Sequence, residues 1–391
     1  MELPQWRRVV VKLGTQVVVD DSGRFAADRI ANILADLLEG AKERILVTSG
    51  AVGLGRARLL KNRTQSLVQK QACAAVGQSL LMNEYHRLLQ RHEVCAAQML
   101  VTSDDLTDRQ KYLNFSETLN ELLRMKALPI LNENDSISTA ELQVGKSFGD
   151  NDKLSAIVAA KMGADLLVIL SNVSGFYKTN PRTDQRAERL GIVDDWSILN
   201  EIEIGEVSRG GRGGIDTKIQ AAKIAAMNGA YTIVADGFQA GILKQILSMR
   251  EWRNDAPFSL VLPRFKLPAR KAWIGFSANT AGSIVINDGA AAAILNRGAS
   301  LLPVGIIRLD GRFTANSIVS VTTENGEEMG RGLAAVSSDE LGRMIKSAQA
   351  KTGDPVSHKV NSKLVAIHKD NLVIYREIRR QNSENEKNKH E

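Results

Sequence analysis

Short apolar segments alternate with segments of helical periodicity over the first 250 residues, and this alternation limits the fold more than any other feature. The apolar segments are a few residues long and contain few polar positions, as expected of strands that are buried on both faces. Strands that alternate with helices form a mostly parallel sheet covered by helices on both sides, so the sequence predicts an α/β domain. The predicted strands are 9–11, 44–48, 96–100, 127–131, 165–170 and 231–235, and the predicted helices are 25–38, 65–90, 153–162, 215–228 and 239–248.

The pattern changes after residue 250, where three prolines interrupt both periodicities and predict a linker. Short strands then dominate, at 283–286, 305–309, 317–321 and 364–367, with one helix at 288–297. This arrangement predicts a small, mostly-β barrel, and the polar composition of the final residues predicts a disordered tail. The predicted divisions are a domain over 1–252, a linker over 253–269, a second domain over 270–370 and a tail over 371–391.

Composition excludes several classes of protein. Only two cysteines are present, Cys73 and Cys95, so a disulfide framework or a cysteine-rich zinc site is excluded. The five histidines are scattered, no apolar run is long enough to span a membrane, and the first residues do not form a signal peptide. The expected location is therefore the cytoplasm.

Charge is distributed unevenly along the chain. The net charge of +7 comes mainly from residues 264–375, which carry +5, whereas residues 1–263 carry only +1. A basic domain can present a surface for nucleic acid, or its charges can simply be solvated. The sequence leaves both interpretations open.

Two segments at the expected edge of the sheet have features of phosphate-binding loops. Lys12 and Gly14 follow the first strand, where a glycine turn lets backbone amides approach an anion and a lysine adds positive charge. Four glycines between 210 and 214 precede a predicted helix that carries Lys218 in its first turn, and helix N-termini favour phosphate. The alternative interpretations are that Lys12 is an ordinary surface lysine and that the glycine stretch is a flexible loop.

Small and polar side chains also follow two other predicted strands: Ser49 follows 44–48, and the stretch 132–135 follows 127–131. A third polar stretch, 149–152, precedes the predicted helix 153–162, and its Asp150 or Asn151 could merely cap that helix. The carboxyl ends of parallel strands form the binding edge of such folds, so these groups are expected to meet the two lysines there. Two lysines, a glycine-rich helix start and a carboxylate suit phosphoryl transfer.

Five stretches, in this order and spacing, resemble the glutamate 5-kinase family: 11–15 (VKLGT), 47–51 (VTSGA), 132–135 (NEND), 148–152 (FGDND) and 213–218 (GGIDTK). The resemblance implies the amino-acid kinase fold, a three-layer α/β sandwich around a mostly parallel sheet. Residues 270–367 resemble the PUA domain, a small mostly-β barrel that bacterial members carry. The resemblance to glutamate 5-kinases further implies a reaction. ATP, with Mg²⁺ on its phosphates, would phosphorylate the side-chain carboxylate of L-glutamate in the first step of proline synthesis.

The resemblance also implies a role for individual residues. Lys12 and Lys218 would lie at the phosphates, and Asp152 would be the catalytic aspartate that orients them. The positions that match glutamate-binding residues are Ser49, Asp135 and Asn151, and Asp135 suits an α-ammonium group. The positions that match ATP-binding residues are Lys12, Gly14, Ser171, Asn172, Arg212, Gly213, Gly214, Ile215, Asp216, Thr217 and Lys218; no protein ligand to the metal is implied.

The sequence departs from the family pattern at three places. Ser171-Asn172 replaces the usual Thr-Asp pair, Arg212 stands where a small hydroxyl residue is common, and Gln16 stands where serine is usual. These changes concern nucleotide affinity and base preference rather than the class of reaction.

The family resemblance leaves two alternatives and two expected partners. N-acetylglutamate kinase and aspartokinase share the fold, although an acidic Asp135 would be a poor partner for an acetylated amine. RNA binding through the basic PUA region is the alternative from another class. A separate γ-glutamyl phosphate reductase is expected, because the chain is too short to include a fused reductase domain. Relatives suggest a homodimer or homotetramer.

Overall fold

The computed structural model describes residues 1–59, 66–102, 105–106, 108–137, 151–181, 183–184, 186–200, 202, 214–263, 271, 274–275, 280–350 and 365–374. The chain divides into two compact units, Met1–Lys266 and Leu267–Glu391. Among the residues described, no helix is long and apolar enough to cross a membrane.

The first unit is built on an eight-stranded, mostly parallel sheet, which confirms the predicted α/β class. The strands are β1 (Arg8–Leu13), β2 (Glu43–Val47), β3 (Ala96–Val101), β4 (Leu128–Glu133), β5 (Leu166–Ser171), β6 (Phe176–Tyr177), β7 (Arg189–Leu190), β8 (Ile192–Val193), β9 (Tyr231–Asp236) and β10 (Phe258–Val261). The order in the sheet is β3-β4-β2-β1-β5-β9-β10-β8, and β6 pairs with β7 separately. The neighbours β1 and β5 therefore lie at its centre.

Helices cover both faces of this sheet. They are α1 (Thr15–Val18), α2 (Ala27–Gly40), α3 (Ala51–Leu59), α4 (Leu67–Gln90), α5 (Arg109–Arg124), α6 (Asn151–Lys161), α7 (Ile215–Met227) and α8 (Ile242–Ser248). On one face, α2, α4 and α8 pack on alternate residues of the central strands, including Val9, Val11 and Leu13. On the other face, α6 packs on β1 and β5 while α7 packs on β9. Both faces of β1 and β5 are therefore buried, which explains their continuous apolar sequences.

The predicted linker over 253–269 requires a correction. Phe258–Val261 forms strand β10, which is completely buried and pairs antiparallel with β9. Proline cannot donate a ladder hydrogen bond, so Pro257 and Pro263 mark the two ends of this short strand. The prolines that predicted a linker instead bound a strand of the main sheet.

In the residues described, the second unit has a five-stranded sheet accompanied by helices, in agreement with the mostly-β prediction. Its elements are β11 (Gly282–Ile286), α9 (Asp288–Arg297), β12 (Ile306–Asp310), β13 (Ile318–Thr323), β14 (Glu328–Leu333), α10 (Ser338–Ala350) and β15 (Leu372–Ile374). The strands have the order β12-β11-β13-β14-β15, and α9 has the predicted bounds 288–297. Asn287 caps the N-terminus of α9, and Gly298 in the left-handed conformation caps its C-terminus.

The last strand of the second unit differs from its prediction. Within 364–367, the described residues contribute only an isolated bridge between Ile367 and Leu301. The strand is instead β15, a buried Leu-Val-Ile sequence that pairs with β14. It lies in the predicted tail, and residues 375–391 of that tail lie outside the described part of the chain.

Candidate active site

A buried carboxylate lies between two buried lysines at the centre of the first unit. Lys12 Nζ lies 2.5 Å from Asp152 Oδ1, and Lys218 Nζ lies 3.1 Å from Asp152 Oδ2. The exposed fraction is 4% for Lys12, 0% for Asp152 and 5% for Lys218. The structure therefore brings together the three residues that the resemblance assigned to catalysis.

The fold assembles this triad from three separate elements. Lys12 is close to the carboxyl end of β1, Asp152 is the second residue of α6, and Lys218 is the fourth residue of α7. The first turns of the two helices thus meet at the carboxyl edge of the sheet. The Thr217 hydroxyl lies 3.1 Å from Asp152 Oδ2 and 2.9 Å from the Gly214 carbonyl oxygen, which ties these two turns together.

The electrostatics of Asp152 are dominated by its two lysine partners. Burial by itself raises the pKa of Asp152, because a low dielectric disfavours the charged carboxylate. The ammonium groups of Lys12 and Lys218 outweigh this effect and lower the pKa from its ordinary value of 3.8 to about 2. Asp152 is therefore ionised at neutral pH and is too weak a base to remove a proton.

A hydrogen-bonded amide network adjoins the triad. Asn151 Nδ2 lies 2.8 Å from the Thr48 carbonyl oxygen, 2.7 Å from Ser49 Oγ and 2.9 Å from Asn132 Oδ1. The Thr48 and Asn132 oxygens can only accept, so the orientation of the Asn151 amide is fixed. Its buried Oδ1 atom has no hydrogen-bond partner among the residues that the structure describes, so an acceptor is present at the site. Two of the predicted glutamate-binding residues, Ser49 and Asn151, are thus in direct contact.

The third of these residues, Asp135, lies in a neighbouring cavity of about 560 Å³. Glu133, Asn134 and Ser136 line the same cavity, as do Ala51, Gln78 and His86. Two of the lining residues, Glu133 and Asp135, are acidic. The cavity adjoins the amide network because Gln78 is hydrogen-bonded to Asn132.

The positions that resemble nucleotide contacts are only partly assembled in the described structure. Gly14 donates its backbone N–H to the Leu170 carbonyl oxygen at 2.9 Å, so the turn after β1 lies against the end of β5. A Cβ atom at Gly14 would lie 3.3 Å from that oxygen, tighter than most real contacts. Ser171 is buried at the same place, and its Oγ has no hydrogen-bond partner in the described part of the chain. Asn172 follows it and is half-buried.

The remaining positions lie at the start of α7. Gly214 is the N-cap, Ile215 begins the helix, and exposed Asp216 accepts a hydrogen bond from Gln220 at 3.1 Å. Arg212 and Gly213 lie outside the described residues. The carbonyl oxygen of Gln16 accepts a hydrogen bond from Arg29 at 3.3 Å, and this contact does not involve the side chain that departs from the family pattern.

Sequence reasoning missed two residues of the network, Gln78 and Tyr85, and it gave Asn132 no role of its own within the NEND stretch. Asn132 connects Asn151 to Gln78, and Tyr85 OH lies 2.7 Å from Thr48 Oγ1 in the interior. Gln78 and Tyr85 lie on the buried face of α4, together with Ala74 and Leu81. Polar groups on an otherwise apolar helical stripe were the available signal, because such groups need a partner.

The fold and the triad define a class of protein. The lysine pair, the ionised aspartate and the converging helix starts form a centre suited to phosphate groups and hence to phosphotransfer. Residues 7–236 match the amino acid kinase family, and residues 282–353 match the PUA domain.

Curated relatives with similar sequences make the assignment narrower. A glutamate 5-kinase of Trichlorobacter lovleyi is 40% identical over 95% of this chain and 98% of the relative. Glutamate 5-kinases of Moorella thermoacetica and Pelobacter propionicus are 38% and 37% identical, with 96% and 94% of this chain covered and 98% and 97% of the relatives. The chain therefore belongs to the glutamate 5-kinase family, within the amino acid kinases.

Proposed function

We propose that this protein transfers the γ-phosphoryl group of ATP to the side-chain carboxylate of L-glutamate. The products are ADP and γ-glutamyl phosphate, and the reaction is the first step of proline biosynthesis. The observation that carries the proposal is the buried Lys12–Asp152–Lys218 triad beside the Ser49–Asn151 pair. The similarity to glutamate 5-kinases over almost the whole chain supports it.

The acceptor in this reaction needs no general base. A glutamate side chain has a pKa near 4.3, so its carboxylate is already a nucleophile at neutral pH. The barrier comes from repulsion between this anion and the phosphates of ATP, which positive groups must offset. Lys12 and Lys218 supply that charge, and Asp152 orients them. The low pKa of Asp152 fits this role, because the carboxylate stays charged through the reaction.

The chemistry of the donor set bears on Mg²⁺. Both oxygens of Asp152 face lysines, and the described residues contain no group of three or more potential metal-binding side chains. These residues fit a hydrated Mg²⁺ carried by the ATP phosphates rather than one held by the protein. When bound, the ion neutralises phosphate charge.

The substrate positions follow from the same arrangement. Ser49 and Asn151 would hold the reacting end of glutamate, and Asp135 would bind the α-ammonium group. The nucleotide would lie over Gly14, Ser171, Asn172 and the 212–217 segment. We further propose a cytoplasmic homodimer or homotetramer that passes its labile acyl phosphate to a separate γ-glutamyl phosphate reductase.

The proposal is tested by trapping the product. The purified protein is incubated with Mg-ATP, hydroxylamine and one of three acids: L-glutamate, N-acetyl-L-glutamate or L-aspartate. Formation of γ-glutamyl hydroxamate with L-glutamate alone is the expected result. Hydroxamate only from one of the other two acids would reassign the substrate within the amino acid kinases. ADP without any hydroxamate would reject phosphoryl transfer to a carboxylate.

A further inference from the structure

The side chain of Gln78 carries a buried hydrogen-bond donor that pairs with none of the residues described. Gln78 is 8% exposed, lies on α4 and lines the cavity that contains Asp135. Within that part of the chain its buried Nε2 atom has no hydrogen-bond partner. Buried amide groups are nearly always paired, so an unpaired one beside a cavity indicates a ligand that supplies the missing acceptor.

The orientation of this amide is fixed by its neighbours. The backbone N–H of Glu133 donates to Asn132 Oδ1 at 2.9 Å, so that atom of Asn132 is the acceptor. Asn132 Nδ2 is therefore the donor in the 2.8 Å contact with Gln78 Oε1. Turning the Gln78 amide over would place two donors against each other. Nε2 is consequently the atom of Gln78 that remains for another group.

The residues that line the cavity determine which ligand group can accept a hydrogen bond from Gln78 Nε2. A neutral amide donor requires an acceptor, and the cavity already presents the acidic side chains of Glu133 and Asp135. A ligand with an ammonium group for Asp135 and an adjacent carboxylate for Gln78 would satisfy both residues. The α-carbon of an amino acid carries these two groups together.

We propose that Gln78 Nε2 donates a hydrogen bond to the α-carboxylate of the amino-acid substrate and is a specificity-determining residue of the reaction. The inference rests on the proposed function and deepens it. The reacting γ-carboxylate is assigned to the other end of the network. Ser49 and Asn151 adjoin the triad, whereas Gln78 is connected to them through Asn132. Gln78 thus recognises the end of the substrate that does not react.

The primary test is Gln78→Glu. This change keeps an oxygen for Asn132 but replaces the donor with an anion that faces the substrate carboxylate. The expected result is a KM for L-glutamate raised roughly 10- to 100-fold, with the KM for ATP nearly unchanged. Gln78→Met removes the donor without adding charge and should raise the same KM by less. Gln78→Met also tests the inference if the Gln78→Glu protein does not fold.

Two comparisons separate substrate recognition from a merely structural role. Gln90→Glu introduces the same charge at the exposed end of α4 and should leave all constants unchanged. 4-Aminobutyrate has the γ-carboxylate and the amine but no α-carboxylate, so its inhibition constant against L-glutamate should be equal in wild type and Gln78→Glu.

The outcomes are distinct. An unchanged KM for L-glutamate in both Gln78 variants overturns this inference. The proposed function is unaffected by that result as long as the wild-type protein is active. Equal weakening of L-glutamate and 4-aminobutyrate also overturns it, because the contact would then not involve the α-carboxylate. A wild-type protein that forms no γ-glutamyl hydroxamate rejects the proposed function itself.

Discussion

At the scale of single residues, the triad carries a built-in excess of positive charge. Its three members contribute one carboxylate and two ammonium groups, all of them buried. Removing charges from water is costly unless they are compensated, so the site favours an additional anion. The phosphates of ATP are such an anion. In the proposed reaction, Asp152 stabilises the lysines before the nucleotide binds and aligns them afterwards.

Asp152→Asn tests the role of this carboxylate. The amide keeps the shape of the side chain but removes the carboxylate charge that faces both buried lysines. We expect kcat to fall roughly 100-fold or more and the free energy of unfolding to fall by about 3–5 kcal/mol. Steady-state kinetics and urea unfolding at neutral pH measure the two effects.

The surface ion pair of Asp255 with Arg253 supplies the matched control. The two side chains lie 2.9 Å apart and both are exposed, so Asp255→Asn should change neither activity nor stability appreciably. Comparable losses in the two variants would contradict a special role for Asp152. Because the pKa of Asp152 in the fold lies below 3.8, its stabilising contribution is present above about pH 4 and is lost as the pH falls towards 2.

The residues of the site could be predicted to different extents. Lys12, Asp152 and Lys218 are in recognisable stretches, although their mutual contact depends on the packing of α6 and α7 against the sheet. Gln78 and Tyr85 lie in a helix with no distinctive motif. Their roles depend on which face of α4 is buried and on what lies beneath it, and a sequence pattern specifies only the first of these.

At the scale of elements, α3 and α4 are packed unusually closely through two glycines. A Cβ atom at Gly55 would lie 1.8 Å from the Cys73 carbonyl oxygen, and one at Gly77 would lie 1.7 Å from the Ala51 carbonyl oxygen. Neither clash can be relieved by a side-chain rotation, because both partners are backbone atoms. This approach places Gln78 of α4 against the amide network.

Gly55→Ala should therefore be strongly destabilising. The helices must separate, which lowers the melting temperature and weakens L-glutamate binding through the displacement of Gln78. Gly53→Ala is the control on the same helix, since its Cβ would meet only ordinary contacts at 3.7 Å. It should be neutral or stabilising by about 0.5–1 kcal/mol, because alanine favours a helix. Thermal unfolding of both variants checks the contrast, and equal melting temperatures would refute it.

The last residue of α6, Lys161, predicts a pH effect. Its Nζ donates to the Leu106 carbonyl oxygen at 3.0 Å and lies 3.9 Å from the centre of the Tyr112 ring. Burial lowers the pKa of Lys161 to about 7. Between about pH 7 and about pH 10 the unfolded chain thus binds a proton that the folded protein does not, so the free energy of unfolding rises with pH.

Lys161→Met should make this rise shallower, whereas the exposed control Lys42→Met should leave it unchanged. Urea unfolding at several pH values in the window measures the slopes. A wild-type slope in Lys161→Met would mean that the ammonium is not destabilised in the fold. The outcome also bears on the site, because the other end of α6 supplies Asn151 and Asp152.

The elements themselves were predictable where local pattern and burial agree. The continuous apolar sequences of β1 and β5 identified central strands, and α9 has a polar cap and a terminal glycine that mark its ends. β10 was missed because flanking prolines suggested a linker, and β15 because three apolar residues adjoin a polar tail. Both strands are too short for periodicity to reveal, and their partners in the sheet are distant in sequence.

At the scale of the whole molecule, the two units differ in charge as well as in fold. The kinase unit is nearly neutral, whereas the region that contains the PUA match carries most of the net positive charge. RNA binding by this region remains a prediction. Gel-shift assays with a structured RNA should show binding that weakens steeply as salt rises if phosphates are contacted. No shift at low salt would remove this role.

In the proposed reaction, the side-chain carboxylate of glutamate attacks the γ-phosphorus of ATP within the Lys12–Asp152–Lys218 site. In that step a carboxylate oxygen forms the new P–O bond as the bond to ADP breaks. When hydroxylamine then displaces phosphate at the carbonyl carbon, the bridging oxygen leaves with the phosphate. L-Glutamate labelled with ¹⁸O in both γ-carboxyl positions should thus yield inorganic phosphate that carries one ¹⁸O atom, measured by ³¹P NMR. Phosphate without label would mean that water, not the carboxylate, accepted the phosphoryl group.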